Sequence, residues 1–245
     1  IGKGHRYLTV VLNLKTGEVI FVGEGKGAEA LAPFFSRLKR SKAEVKAVAI
    51  DMSPAYTAAV IDNLPKAAIV FDHFHVIKLY NEKLSEFRRA LYNEAQKISE
   101  KQVLKGTRWL LMKNPENLNK QKDEHHRLAQ ALKLNQPLAT AYYLKEDLRQ
   151  FWIQKNKRSA KKHIFHWITK AESTKIPMLK KFAKTLRAHM FGLLTYYDFS
   201  ISTGPLEGTN NKIKTLQKQA YGFRDLLFFK LKILALHETK YALIG

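Results

Sequence analysis

Three carboxylates occupy positions from which side chains can do chemistry. Asp51 ends the apolar run Val45-Lys46-Ala47-Val48-Ala49-Ile50, and Asp72 ends a second run, Ala67-Ala68-Ile69-Val70-Phe71. Glu207 opens a late helical stretch in which Glu207, Asn211, Lys214 and Lys218 recur at the spacing of one helix stripe. A carboxylate at the C-terminal end of a parallel strand faces the crevice where α/β sheets bind ligands, and it can reach a hard cation such as Mg²⁺. An acid, an amide and two cations in line suit a metal ligand beside a row of phosphate contacts. Each position also has a plainer use. Asp51 can cap the turn before a helix that starts at Ser53. Glu207, the third residue after Gly204 as N-cap, fits a capping box. The run Asp72-His73-Phe74-His75 looks like a ligand cluster, but on a continuing strand its side chains alternate and all four cannot meet one ion. Spacing alone leaves both uses open for each acid.

These residues need elements to hold them. Apolar, β-branched residues at 7–12 and 19–22, separated by Lys15-Thr16-Gly17-Glu18, predict an antiparallel hairpin. Leu31, Phe34, Phe35 and Leu38 predict a helix over 28–38. The two apolar runs ending in Asp51 and Asp72 predict buried strands, with a helix between them from Ser53 as N-cap and Pro54 as first helical residue to about Asn63. Together these elements describe a mixed α/β sheet. Helical periodicity then runs from His73 to about Val103. Residues 106–196 carry no strand pattern but many apolar residues at helical spacing, with a dense basic stretch at 155–162. The breaker cluster Ser202-Thr203-Gly204-Pro205 predicts a helix start near Pro205, and a last helix is expected over 225–241, after Tyr221-Gly222.

Composition narrows the partners. Among 245 residues, 43 Lys and Arg stand against 21 Asp and Glu, a net charge of +22. An excess of this size points to a polyanion, with DNA or RNA the commonest. A hydrophobic fraction of 45% allows a sizeable core. The absence of cysteine excludes disulfides and Cys-based zinc sites. No apolar run is long enough to predict a membrane span. The glycine-rich Gly23-Glu24-Gly25-Lys26-Gly27 lacks Walker spacing, and neither a nucleophile elbow nor a His-Glu-x-x-His motif is present.

An ordered set of words then carries a resemblance: Lys3-Gly4-His5-Arg6-Tyr7-Leu8-Thr9-Val10-Val11, Asp51-Met52-Ser53-Pro54-Ala55-Tyr56, Phe71-Asp72-His73-Phe74-His75-Val76, Leu104-Lys105-Gly106-Thr107-Arg108-Trp109-Leu110-Leu111, Asn114-Pro115-Glu116-Asn117-Leu118, Gly204-Pro205-Leu206-Glu207-Gly208-Thr209-Asn210-Asn211-Lys212-Ile213-Lys214 and Ala220-Tyr221-Gly222-Phe223-Arg224. Along essentially the whole chain it resembles bacterial insertion-sequence transposases with a DDE catalytic domain, of the ISL3 family. The resemblance implies an RNase H-like mixed sheet with flanking helices, interrupted by an all-α insertion. On that pattern residues 1–103 are the first part of the core, 104–196 the basic helical insertion, and 197–245 the helices that complete the core. Asp51 and Glu207 are then the second and third catalytic, metal-binding acids. Asp72, His75 and Asn211 support the site, and Lys212, Lys214, Lys218 and Arg224 contact DNA.

The resemblance further implies two Mg²⁺ or Mn²⁺ ions, cleavage and strand transfer at element ends, a homo-oligomer on DNA, and a cytoplasmic, nucleoid-associated protein with no membrane partner. The family's first acid lies on a first strand just before the Lys3-Gly4-His5 word, so that strand is expected to be missing from this chain. The alternative places this acid at Asn13, where it would have been lost. Two competing functions remain at this point: a catalytically dead, truncated fragment that binds DNA nonspecifically, and a basic RNA-binding protein without nuclease ancestry.

Overall fold

The computed structural model describes residues 7–41 and 43–236. They divide into two compact units, one made of the described residues up to Asp72 together with those from Phe199 onward, the other His73–Asp198.

The first unit begins with a hairpin. Strands β1 (Leu8–Leu12) and β2 (Val19–Glu24) pair antiparallel. Gly17 turns the chain at φ 78°, a left-handed conformation that glycine adopts without a Cβ penalty. The Asn13 amide closes the turn onto Glu18 O at 2.9 Å, and Asn13 Oδ1 accepts the Lys15 N–H at 3.0 Å. Val11 pairs with Phe21 but Leu12 pairs with Val19, so Ile20 is an extra residue in β2. This bulge turns Val19 to the same face as Val22.

Helix α1 (Ala32–Arg40) follows, then β3 (Ala47–Ile50), α2 (Pro54–Asn63) and β4 (Ala68–Phe71). The strands β3 and β4 pair in parallel, as two strands joined by a crossover helix must when they lie side by side. Leu31, Phe35 and Ala59 form a core with Val11, Phe34 and Tyr56 packed against it. Thr9 Oγ1 donates to Gly25 O at 2.9 Å. Among the described residues the four strands form two separate two-stranded sheets rather than one ladder.

The second unit is helical throughout its regular elements: α3 (His73–Glu94), α4 (Ile98–Gly106), α5 (Arg108–Met112), α6 (Glu124–Leu134), α7 (Gln136–Arg149), α8 (Lys157–Ser173), α9 (Pro177–Ala188) and α10 (Met190–Thr195). Its core centres on the rings of Tyr80, Trp167 and Phe182, with Tyr80 and Phe182 edge-on at 4.9 Å. Both polar atoms in that cluster are satisfied. Tyr80 OH donates to Ala141 O and Trp167 Nε1 to Leu144 O, each at 2.7 Å. Lys145 is also buried, and its Nζ donates to Leu111 O and Lys113 O and pairs with Glu146. Burial lowers its pKa, and the Glu146 carboxylate acts against that shift. The excess charge stays outside: Lys157, Arg158, Lys161 and Lys162 are exposed on α8.

The chain then returns to the first unit with α11 (Gly204–Gln219) and α12 (Leu226–Leu234). Asp225 Oδ1 caps α12 by accepting the N–H groups of Leu227 and Phe228. Phe229 and Ile233 of α12 pack with Val19 and Val22 on β2, and Leu8, Val10, Leu12, Ile213 and Leu216 close around them. Alternation along β1 therefore sends Leu8, Val10 and Leu12 toward α11 and α12, and Val11 toward α1 and α2. The part of the expected last helix beyond Leu236 lies outside the described residues.

Candidate functional site

The parallel register sets the first two acids beside each other. Ile50 lies opposite Phe71, and the Asp72 N–H extends the ladder to Ile50 O at 3.1 Å. Asp51 and Asp72 therefore leave the sheet side by side at its C-terminal edge. Asp51 is half-buried and Asp72 is 2% exposed. Asp51 Oδ1 accepts the Ser53 N–H at 3.0 Å, an Asx turn that leads into α2. Ser53 holds the expected N-cap position in extended conformation, but its hydroxyl makes no capping bond. The Asp51 carboxylate supplies the local hydrogen bond instead, through one of its two oxygens.

Asp72 reaches across 131 residues of sequence. Its Oδ1 accepts the N–H of Thr203 at 3.2 Å, and Thr203 is the N-cap of α11. Thr203 O in turn accepts the N–H of Glu207 at 2.9 Å. One side-chain hydrogen bond and one helical turn thus connect the Asp72 carboxylate to Glu207. With Thr203 rather than Gly204 as N-cap, Glu207 is the fourth helical residue and has passed the capping-box position. No side-chain capping bond forms there, so the Glu207 carboxylate is not spent on the helix start.

Packing orients the rest of α11. Leu206, Ile213 and Leu216 are half-buried and Thr209 is buried, while Glu207, Asn211, Lys214 and Lys218 are all exposed along the expected stripe. Lys212 and Arg224 are exposed as well. Neither Asp51 nor Glu207 makes an ion pair among the described residues, in a chain of net charge +22. A carboxylate without an ion-pair partner suits a hard, oxygen-preferring cation. The described residues contain no group of three or more His, Cys, Asp and Glu side chains able to share a metal ion.

The histidines of the Asp72-His73-Phe74-His75 run lie on a helix. The strand ends at Phe71 and α3 begins at His73, so strand alternation does not continue. His75 lies in the first turn of α3, in the second unit, half-buried and edge-on to Phe74 at 5.7 Å. The His73 ring lies near Trp152 and Tyr196. The Asp72–Thr203 bond was not anticipated from the sequence. Its only local sign is an acid directly after a fully apolar strand.

Comparison with known proteins agrees with these motifs. The ISL3-type DDE family model, described as Transposase, matches residues 1–233. The transposase for insertion sequence element IS1001 of Bordetella parapertussis is 36% identical over 95% of this chain and 58% of its own length. The transposase for insertion sequence element IS1557 of Mycobacterium tuberculosis is 30% identical over 90% of this chain and 54% of its own length. The chain thus spans just over half the length of the curated relatives it matches. No solved structure matches it. No described helix is long and apolar enough to cross a membrane. With the family's words in order along the chain and its model matched over nearly all of it, this chain belongs to the ISL3 family of insertion-sequence transposases.

Proposed function

We propose that this chain is the greater part of a DDE-type catalytic domain that cuts DNA strands at insertion-sequence ends and joins them to target DNA. The observation that carries the proposal is the Asp72–Thr203 hydrogen bond, which ties the edge bearing Asp51 to the helix bearing Glu207. Asp51 and Glu207 would hold Mg²⁺ or Mn²⁺, together with a further acid that the family pattern puts just before the Lys3-Gly4-His5 word. Two such ions, when bound, activate a water or a DNA 3′-hydroxyl and stabilise the leaving oxygen.

The chain's own residues do the positioning. Asp51 keeps one oxygen on the Ser53 amide and offers the other. Asp72 holds the start of α11 in place, and Asn211 lies one turn beyond Glu207. In this reading His75 supports the site as the family pattern implies, and Lys212, Lys214, Lys218 and Arg224 take phosphates. The proposed architecture is RNase H-like, with the basic helical stretch 104–196 as its insertion. In its support, β1 and β3 each keep an unpaired edge among the described residues, and two-stranded sheets are marginal alone. A further strand between them would complete one mixed sheet. Action on paired element ends would call for a homo-oligomer on DNA, within the nucleoid.

The test is Mg²⁺-dependent strand transfer of pre-cleaved element ends, with this chain and an N-terminally extended form. Activity should appear in the extended form and vanish in Asp51→Asn and Glu207→Gln, while DNA binding persists. Activity indifferent to both substitutions would overturn the assignment. Binding without activity in both forms would favour a DNA-binding fragment.

A further inference from the structure

The turn after α11 holds a residue that stability does not explain. Tyr221 has φ 49°, and Gly222 follows at φ 96°. The Tyr221 N–H bonds to Lys218 O and the Gly222 N–H to Gln217 O, closing the helix end. A left-handed residue at this point is ordinarily glycine, because a Cβ there is strained and a bulky residue is an outlier. The ring gains nothing in return within the described residues, since Tyr221 is 99% exposed. Strain held at an exposed position is a mark of function rather than of folding.

Its surroundings indicate the ligand. Tyr221 lies just past the end of α11, which carries the exposed stripe of Glu207, Asn211, Lys214 and Lys218, and Arg224 three residues on is exposed too. Exposed lysines along a helix with an exposed aromatic ring just past its end combine a backbone track with a stacking platform, the two parts used to hold an unpaired strand. Fourteen residues separate Glu207 from Tyr221, about 20 Å at the helical rise, or roughly six nucleotide steps of duplex.

We propose that Tyr221 stacks on an unpaired or extruded base of a DNA strand laid along α11, roughly six nucleotides from the bond held at Glu207. This rests on the DNA-processing reading above.

Fluorescence anisotropy with two labelled DNAs, one fully paired and one carrying a short single-stranded gap, tests it on the full chain. Tyr221→Ala should weaken binding to gapped DNA roughly tenfold and leave binding to paired DNA nearly unchanged, while Tyr221→Phe binds both like the native chain. Tyr221→Gly should bind like Tyr221→Ala but melt about 2–4 °C higher, because the left-handed strain is relieved. Equal affinity of native and Tyr221→Ala chains for gapped DNA overturns the proposal, as does a lower melting temperature for Tyr221→Gly. The double variant Lys214→Ala, Lys218→Ala separates the two levels. If it weakens both DNAs while Tyr221→Ala does nothing, only stacking fails. If it weakens neither, the DNA track and the function built on it fail together.

Discussion

Asp72→Ala is the substitution that tests how the candidate site is assembled. The Asp72 carboxylate is 2% exposed and accepts the N–H of Thr203, itself 7% exposed. Losing a hydrogen bond to a charged group, with a buried donor left unpaired, costs about 2–3 kcal/mol. At 1.4 kcal/mol per factor of ten, opening of the segment that starts α11 should become roughly 30–150-fold easier. Asp72→Asn keeps an acceptor oxygen and loses only the charge, so it should cost about 1 kcal/mol. Tryptophan fluorescence cannot follow this, since Trp109, Trp152 and Trp167 all lie in the second unit. Hydrogen exchange read by mass spectrometry on peptides spanning 199–207 can. The expected order of protection is native, then Asp72→Asn, then Asp72→Ala, with the second unit unaffected. Protection of those peptides in Asp72→Ala within twofold of native would refute the claim that this bond positions Glu207's helix.

Two further predictions concern the cores. Ile233 is fully buried between α12 and β2, so Ile233→Ala should cost about 2–5 kcal/mol and raise exchange in both β2 and α12. In the second unit, Glu124 accepts the Asn119 N–H at 2.8 Å and pairs with Lys113 Nζ, and these contacts hold its pKa below the usual glutamate value, the Asn119 bond contributing most. A lowered folded pKa gives stability that is present above the unfolded value of about 4.5 and is lost as pH falls through the folded one. Urea unfolding followed by tryptophan fluorescence should therefore show the second unit weakening below about pH 4.5. Glu124→Gln should be weaker at neutral pH and lose that part of the acid dependence. An unchanged acid dependence in Glu124→Gln would remove this carboxylate from the explanation.

Much of the local structure was legible because its causes are local. Alternating apolar residues around Gly17 specify a hairpin, and only its bulge at Ile20 escaped, since an extra residue on one strand leaves no mark until the partner strand is known. The helices of 73–198 follow from apolar spacing. The exposed stripe of α11 could be read from the i, i+4 rule, because Leu206, Thr209, Ile213 and Leu216 claim the inner side. Capping was less legible. Ser53 has the right residue type at the right place, yet Asp51 makes the bond. A shift of one residue in the N-cap, from Gly204 to Thr203, removed Glu207 from its capping alternative.

The sequence by itself determined the family, the basic character and the positions of the acids at the ends of apolar runs, since these depend on residue type and order. Tertiary structure decided which acids are neighbours at the sheet edge. Parallel pairing of β3 and β4 puts Asp51 beside Asp72, and the buried Asp72–Thr203 bond brings in the helix of Glu207 from 131 residues away. It also set His75 on a helix of the other unit and left Tyr221 strained and bare just past the end of the helix that carries the lysine stripe. Residues so far apart in sequence meet only after the chain between them has packed. Periodicity reports which face of an element is buried, and it carries no information about which other element covers that face.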